Sequence, residues 1–143
     1  DPARPVFVES ESKKIGALRV PEALITAMHA SHCVRLEVPL AARVQLLREE
    51  YPHFLRDPET LNNQLAHLAR LRGTDTVAAW QALASQQAWD QLVATLLEQH
   101  YDPAYLKSLS SNYASAPDTQ TFRAEDVSVD GLQRLARDIL AAP

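Results

Sequence analysis

The sequence predicts an α/β fold in which helices dominate and a small parallel sheet of two or three strands lies beside them. Two short runs of β-prone apolar residues, at 5–9 and Cys33–Glu37, each precede a helical pattern. From residue 58 onward the apolar side chains recur at helical spacing. With 143 residues, 46% hydrophobic and 22% charged, the chain has the composition of one soluble globular domain.

The first part of the chain, residues 1–51, predicts the order strand, helix, strand, helix. Residues 5–9 are typical of a buried parallel strand, and residues 10–20 of a polar loop. Pro21 and Pro39 each suit the first turn of a helix, because that position needs no backbone N–H.

Residues 52–118 predict a helical region, and residues 119–143 a short strand followed by a last helix. A leucine stripe ends at Gly73, which suits a helix C-terminal cap. Asp102 followed by Pro103 is typical of an N-cap and the first position of a further helix. The leucines of the stripe are Leu61, Leu65, Leu68 and Leu71.

Composition narrows the class of protein. The net charge of −4 argues against a freestanding nucleic-acid binder, although a local basic patch could still contact RNA. A single cysteine, Cys33, excludes an internal disulfide and fits the cytoplasm, where we expect the protein to act.

We predict no membrane span, since no run of 18 apolar residues occurs. We also predict no bound metal at His29, His32 and Cys33, because zinc needs a further ligand cluster.

Two carboxylates and two ammonium groups follow the first predicted strand. Glu9 and Glu11 are two residues apart, so in an extended chain they point the same way and could hold Mg²⁺ or a water. Lys13 and Lys14 could pair with a diphosphate or an RNA phosphate. The alternative is a solvated loop start with ordinary surface lysines.

Arginines and tyrosines further along the chain are the next candidates. Arg35, Arg43 and Arg48 each offer a planar fork for phosphate oxygens, or else form ion pairs on the protein surface. Tyr101 and Tyr105 could stack on a base, or else pack a helix corner.

Two strings of residues resemble one enzyme family. Val-Phe-Val-Glu-Ser-Glu-Ser-Lys-Lys-Ile-Gly at 6–16 and His-Tyr-Asp-Pro-Ala-Tyr at 100–105 are similar to tRNA 2-selenouridine synthases, which replace sulfur by selenium at the wobble uridine of tRNA. The resemblance covers nearly the whole chain and is clearer in residues 1–113. No Gly-x-x-x-x-Gly-Lys-Ser/Thr motif is present, and the rhodanese-like domain of that family is absent too.

The resemblance implies that the chain is a C-terminal fragment of such an enzyme and contains part of a P-loop NTPase-like domain. The rhodanese-like and phosphate-loop segments would be missing, and the fragment would be inactive alone. Residues 1–51 would be the half after the phosphate loop, 52–118 a helical lid or insertion, and 119–143 the last strand and helix. The strand missing between the first and second predicted strands would leave a gap. Pairing with another chain, for instance in a homodimer, would fill it.

The resemblance also implies a reaction and a set of partners. A tRNA with wobble 2-thiouridine would first be geranylated by geranyl diphosphate, and selenophosphate would then supply selenium. Geranyl diphosphate and selenophosphate would both be substrates, and Mg²⁺ could act as a cofactor of the full enzyme. Two alternatives stay open: a fragment of a P-loop nucleotide kinase, and a non-enzymatic helical module that binds tRNA or a partner.

The residue roles follow the same resemblance. Glu9 and Glu11 would manage Mg²⁺ or water, and Tyr101 and Tyr105 would contact RNA or another substrate. The basic residues that would bind phosphate are Lys13, Lys14, Arg43 and Arg48.

Overall fold

A short hairpin occupies the segment predicted as a polar loop. The computed structural model describes residues 5–10, 13–113 and 119–142. Strands Lys14–Ile15 (β1) and Leu18–Arg19 (β2) pair antiparallel across a two-residue turn. Gly16 opens this turn with a φ of 61°, the left-handed conformation that tight hairpin turns require.

A two-stranded parallel sheet confirms the strand predicted at Cys33–Glu37 and the short strand predicted within residues 119–143. Strand Cys33–Glu37 (β3) pairs with Thr119–Arg123 (β4), with Cys33 opposite Thr119 at the first position. The predicted helices on either side of β3 are also confirmed, as Glu22–His29 (α1) and Leu40–Glu50 (α2).

The prediction of a buried strand at residues 5–9 is wrong for this chain. Residues 5–10 have no regular structure, and Val6, Phe7 and Val8 are 82%, 54% and 51% exposed. A parallel strand is stabilised by backbone hydrogen bonds to a neighbouring strand. No strand in the described part of the chain pairs with this segment.

Helices make up most of the remaining described residues. Asp57 caps one of them, because its carboxylate accepts a hydrogen bond from the Thr60 N–H at 3.0 Å. This hydrogen bond lowers the pKa of Asp57. Ser128 caps the last helix through the Gly131 N–H at 3.1 Å. The helices are Pro52–Arg56 (α3), Pro58–Ala66 (α4), Ala69–Arg72 (α5), Thr74–Ser85 (α6), Trp89–Leu96 (α7), Asp102–Tyr113 (α8) and Val129–Ala141 (α9).

The main hydrophobic core lies among these helices rather than on the sheet. Side chains from α4, α6 and α7 form it, and Trp80 at its centre is 1% exposed. Leu71, the last leucine of the predicted stripe, is 67% exposed, because the chain leaves α4 before α5 begins and the helical phase is lost. The buried members of the core are Leu65, Val77, Trp80, Ala84 and Leu92.

Helices α7 and α8 are joined by a wide helical turn, Leu97–Tyr101, instead of a loop. In this π-helical turn the Asp102 N–H donates to the Leu97 carbonyl, five residues back. Pro103 has no N–H to donate to the preceding turn, and a wide turn accommodates that loss. The predicted N-cap at Asp102 is therefore wrong: its φ of −60° and ψ of −45° place it inside a continuous helical path.

Candidate functional site

Contacts from the helical core hold the wide turn in place. Arg72 donates from Nε to Nδ1 of His100 at 3.0 Å and from its terminal nitrogen to the His100 carbonyl at 2.8 Å. Trp80 donates from Nε1 to the Gln99 amide oxygen at 3.3 Å. Because arginine only donates, the His100 ring is neutral and carries its proton on Nε2. Burial, and then the charge of Arg72, lowers the pKa of His100.

Arg43 fastens the other side of this turn to α2. Its guanidinium donates two hydrogen bonds to the Asp102 carboxylate, at 2.6 and 3.0 Å. The side chains are 26% and 32% exposed. The hydrogen bond with Asp102 raises the pKa of Arg43, whereas partial burial opposes that rise. Arg43, predicted to bind phosphate, therefore holds a carboxylate in this structure.

The tyrosines that follow form a parallel, stacked pair of rings. The rings of Tyr101 and Tyr105 lie 5.9 Å apart between centroids with 9° between their planes. Spacing of four residues places them on one helix face. Their residues are 48% and 41% exposed, so a planar ligand could reach the rings from solvent.

A cavity of about 180 Å³ lies between these tyrosines and the N-terminal segment. Ser10 lines one side, and Tyr101, Tyr105, Ser108 and Tyr113 line the helix side. Ser10 follows Glu9 directly in the chain. The fold thus brings the Glu9 segment and the tyrosines, two separate predictions of the sequence, to the same place.

The other predicted site residues that the structure describes lie outside this cavity. Glu9, Lys13 and Lys14 are exposed, the lysines at the start of the β1–β2 hairpin. Glu11 lies outside the described residues. Arg48 is ion-paired with Asp90 at 2.5 Å on the protein surface.

Metal binding has no geometric support in the part of the chain that the structure describes. No group of three or more histidine, cysteine, aspartate or glutamate side chains there could hold an ion. Coordination of Mg²⁺ by Glu9 and Glu11 stays a prediction from the sequence.

Asp102 and Arg72 are the residues at this site whose contacts the sequence did not predict. Asp102 precedes Pro103, as an N-cap residue often precedes a proline at the first helical position. The local sequence therefore predicts a capping role for Asp102 rather than an ion pair. One signal was available: the apolar pattern that begins at Trp89 continues toward residue 101 with no loop-forming residues before the proline.

Comparison with known proteins finds similarity to one family. Residues 1–68 match the family model described as the tRNA 2-selenouridine synthase AAA domain. A tRNA 2-selenouridine synthase from Shewanella loihica is 31% identical over 130 residues, which cover 73% of this chain and 35% of the relative. The chain thus spans about a third of that relative's length. No solved structure matches significantly.

Among residues 5–10, 13–113 and 119–142, no helix is long and apolar enough to cross a bilayer. The resemblance to this family is confirmed: residues 6–16 lie within the range that the family model matches, and the Shewanella relative matches 73% of the chain. The chain is similar to the tRNA 2-selenouridine synthases, and its first 68 residues match the AAA domain of that family.

Proposed function

We propose that this chain is part of an enzyme that converts wobble 2-thiouridine of tRNA to 2-selenouridine. In the first step the sulfur displaces diphosphate from geranyl diphosphate. In the second, the selenium of selenophosphate attacks C2 of the uridine, the geranylated sulfur departs as a thiol, and water then cleaves the P–Se bond and releases phosphate. The family match supports the overall conversion, and the two donors are our expectation from the family resemblance.

The observation that carries the proposal is the cavity between Ser10 and the tyrosine pair. A parallel pair of exposed rings suits stacking on a nucleobase, which contributes about 1–3 kcal/mol per base. We propose that Tyr101 and Tyr105 contact the tRNA here. Glu9 would then be one residue from the wall of the base-binding cavity, where it could position a water or Mg²⁺ together with Glu11.

The basic residues divide into two groups in this proposal. Lys13 and Lys14 are exposed in the hairpin and would approach a diphosphate or an RNA phosphate as point charges. Arg43 and Arg48 hold aspartates, so each would have to exchange a carboxylate for a phosphate on binding. That exchange is easier for Arg48, whose ion pair is the more exposed of the two.

The sheet supports a P-loop NTPase-like core that is completed by another segment. Strand β3 pairs with β4 on one edge, and its second edge has no strand partner among the described residues. We propose that a strand carrying the phosphate loop fills the space between β3 and residues 5–9. This chain alone would then be inactive, and a second copy of the chain is the other way to cover the edge. The division at residues 51 and 118 stays a prediction.

The test of this proposal is Tyr105→Ala in the full-length enzyme. Nucleosides released from thiolated tRNA are quantified by mass spectrometry after reaction with geranyl diphosphate and selenophosphate. Loss of one stacking partner should lower 2-selenouridine formation about tenfold. Tyr51→Ala is the matched control, because Tyr51 is 46% exposed and lies outside the cavity.

Unchanged activity of the Tyr105→Ala enzyme, or equal loss in both variants, would contradict the proposed contact. Phosphorylation of nucleotides by the wild-type enzyme, without any product on thiolated tRNA, would favour the kinase alternative instead.

A further inference from the structure

One half-buried arginine has no partner among the residues that the structure describes. Four arginines of the described chain are half-buried: Arg35, Arg43, Arg48 and Arg72. Three of them bond to an aspartate or a histidine. No ion pair or hydrogen bond of the Arg35 side chain occurs among the described residues. Because charged side chains are seldom buried without a partner, Arg35 is available to an anion.

Arg35 lines a second cavity, of about 570 Å³, between the β3–β4 sheet and α8. Cys33 and Arg35 are two residues apart in β3 and therefore share a face of the sheet. Lys107 approaches from α8, also without an ion pair in the described part of the chain. Ser110 and Thr119 add hydroxyl groups.

The described residues that line this cavity carry charge of one sign. They include a guanidinium and an ammonium group and no carboxylate. Cys33 and Thr119 begin their strands, so the cavity lies toward the amino end of the parallel sheet. It is therefore a different place from the carboxyl end, where open α/β sheets bind their main ligand.

We propose that this second cavity binds a phosphate group. The Arg35 fork can donate two parallel hydrogen bonds to phosphate oxygens, Lys107 supplies a second charge, and the Thr119 hydroxyl can donate a further bond. The cavity shares Leu109 and Tyr113 with the tyrosine-lined cavity, so the two sites lie side by side on α8.

Two sources can provide this phosphate group. One is the backbone of an RNA strand whose base stacks on Tyr105, an assignment that rests on the proposed function. The other is a small donor such as a diphosphate or selenophosphate. Both offer the same tetrahedral oxyanion to Arg35.

Cys33 allows the binding to be measured directly. It is the single cysteine of the chain, it is half-buried and it lines this cavity. We would follow alkylation of Cys33 by N-ethylmaleimide with mass spectrometry, with and without inorganic pyrophosphate and, separately, a single-stranded RNA oligonucleotide. At about ten times the dissociation constant, a bound phosphate that shields the thiol should slow alkylation about tenfold.

The variant R35Q/K107Q should abolish that protection. Arg70→Gln is the matched control, because Arg70 is exposed, has no ion pair in the described chain and lies outside both cavities. Thermal unfolding checks that each variant folds. If the double variant does not, Lys107→Gln alone, at an exposed position, should still weaken protection.

Protection by pyrophosphate alone identifies a small donor, and protection by RNA alone identifies the backbone. No protection by either probe, or protection that survives in R35Q/K107Q, would overturn the proposed site. The pyrophosphate result does not depend on Tyr105. The proposed tRNA contact can therefore fail while this phosphate site stands, and this phosphate site can fail while the tRNA contact stands.

Discussion

At the scale of single residues, His100 makes stability depend on pH. Its Nδ1 accepts from Arg72, and burial together with that arginine lowers its pKa in the folded chain below the ordinary value of 6.5. The unfolded chain therefore binds a proton on this ring more readily than the folded chain does. Stability is complete above the unfolded pKa and falls as the pH drops toward the folded one.

We predict that His100→Gln removes part of this decline. The midpoint of urea unfolding would be measured between pH 7.5 and about 5, where histidine titrates. The wild-type chain should lose stability toward acid, and the variant should lose less. His67→Gln is the control, because His67 is exposed and makes no side-chain hydrogen bond to Arg72 among the described residues, so that variant should follow the wild type. Parallel curves for all three chains would show that His100 is not the group responsible.

At the scale of helices and strands, the ion pair between Arg43 and Asp102 joins α2 to the wide turn. We predict that Arg43→Gln lowers the free energy of unfolding by about 1–2 kcal/mol, since it breaks two charge-assisted hydrogen bonds and leaves a half-buried carboxylate. Arg48→Gln, five residues along the same helix, should cost less than about 0.5 kcal/mol, because its ion pair is largely exposed.

Urea unfolding of the two variants measures this difference. It also bears on the assignment of Arg43 to phosphate binding. If both substitutions have equally small effects, the pair with Asp102 does not anchor the turn, and Arg43 would be free to serve phosphate as the sequence predicted.

Local patterns explain why most of these elements could be predicted. Strand Cys33–Glu37 and helix α6 follow from periodicity within a few residues, and both are confirmed. The Arg43–Asp102 pair spans 59 positions, so no local pattern contains it. The sequence Asp102-Pro103 fits an N-cap and a wide turn equally well, and the choice depends on packing around His100.

The candidate site shows the same limit. The tyrosine pair could be predicted from the family string, and its place on one face follows from helical spacing. Its meeting with Ser10 depends on how residues 5–10 cross α8, which periodicity does not specify. Arg35 was a candidate on chemistry, but its lack of a partner is a property of the folded chain.

At the scale of the whole molecule, two features call for a partner segment. Val6, Phe7 and Val8 expose a contiguous apolar run, and β3 leaves one edge without a strand neighbour in the described chain. Apolar runs of this kind and open strand edges favour pairing with a further strand. Since the Shewanella relative is nearly three times as long as the matched region, such a segment is expected in the full-length enzyme.

We predict that hydrogen exchange distinguishes the two forms of the protein. In the isolated chain the amides of residues 6–8 should exchange almost as fast as in an unfolded peptide, because they lack a strand neighbour. In the full-length enzyme they should be strongly protected, together with the free edge of β3. The amides of α6, the helix that carries the buried Trp80, are the internal control and should be protected in both forms of the protein.

Protection of residues 6–8 that rises with the concentration of the isolated chain would mean that a second copy covers the edge. Fast exchange of these amides in the full-length enzyme would refute strand pairing there, because a strand within a sheet cannot leave its backbone N–H groups open to solvent.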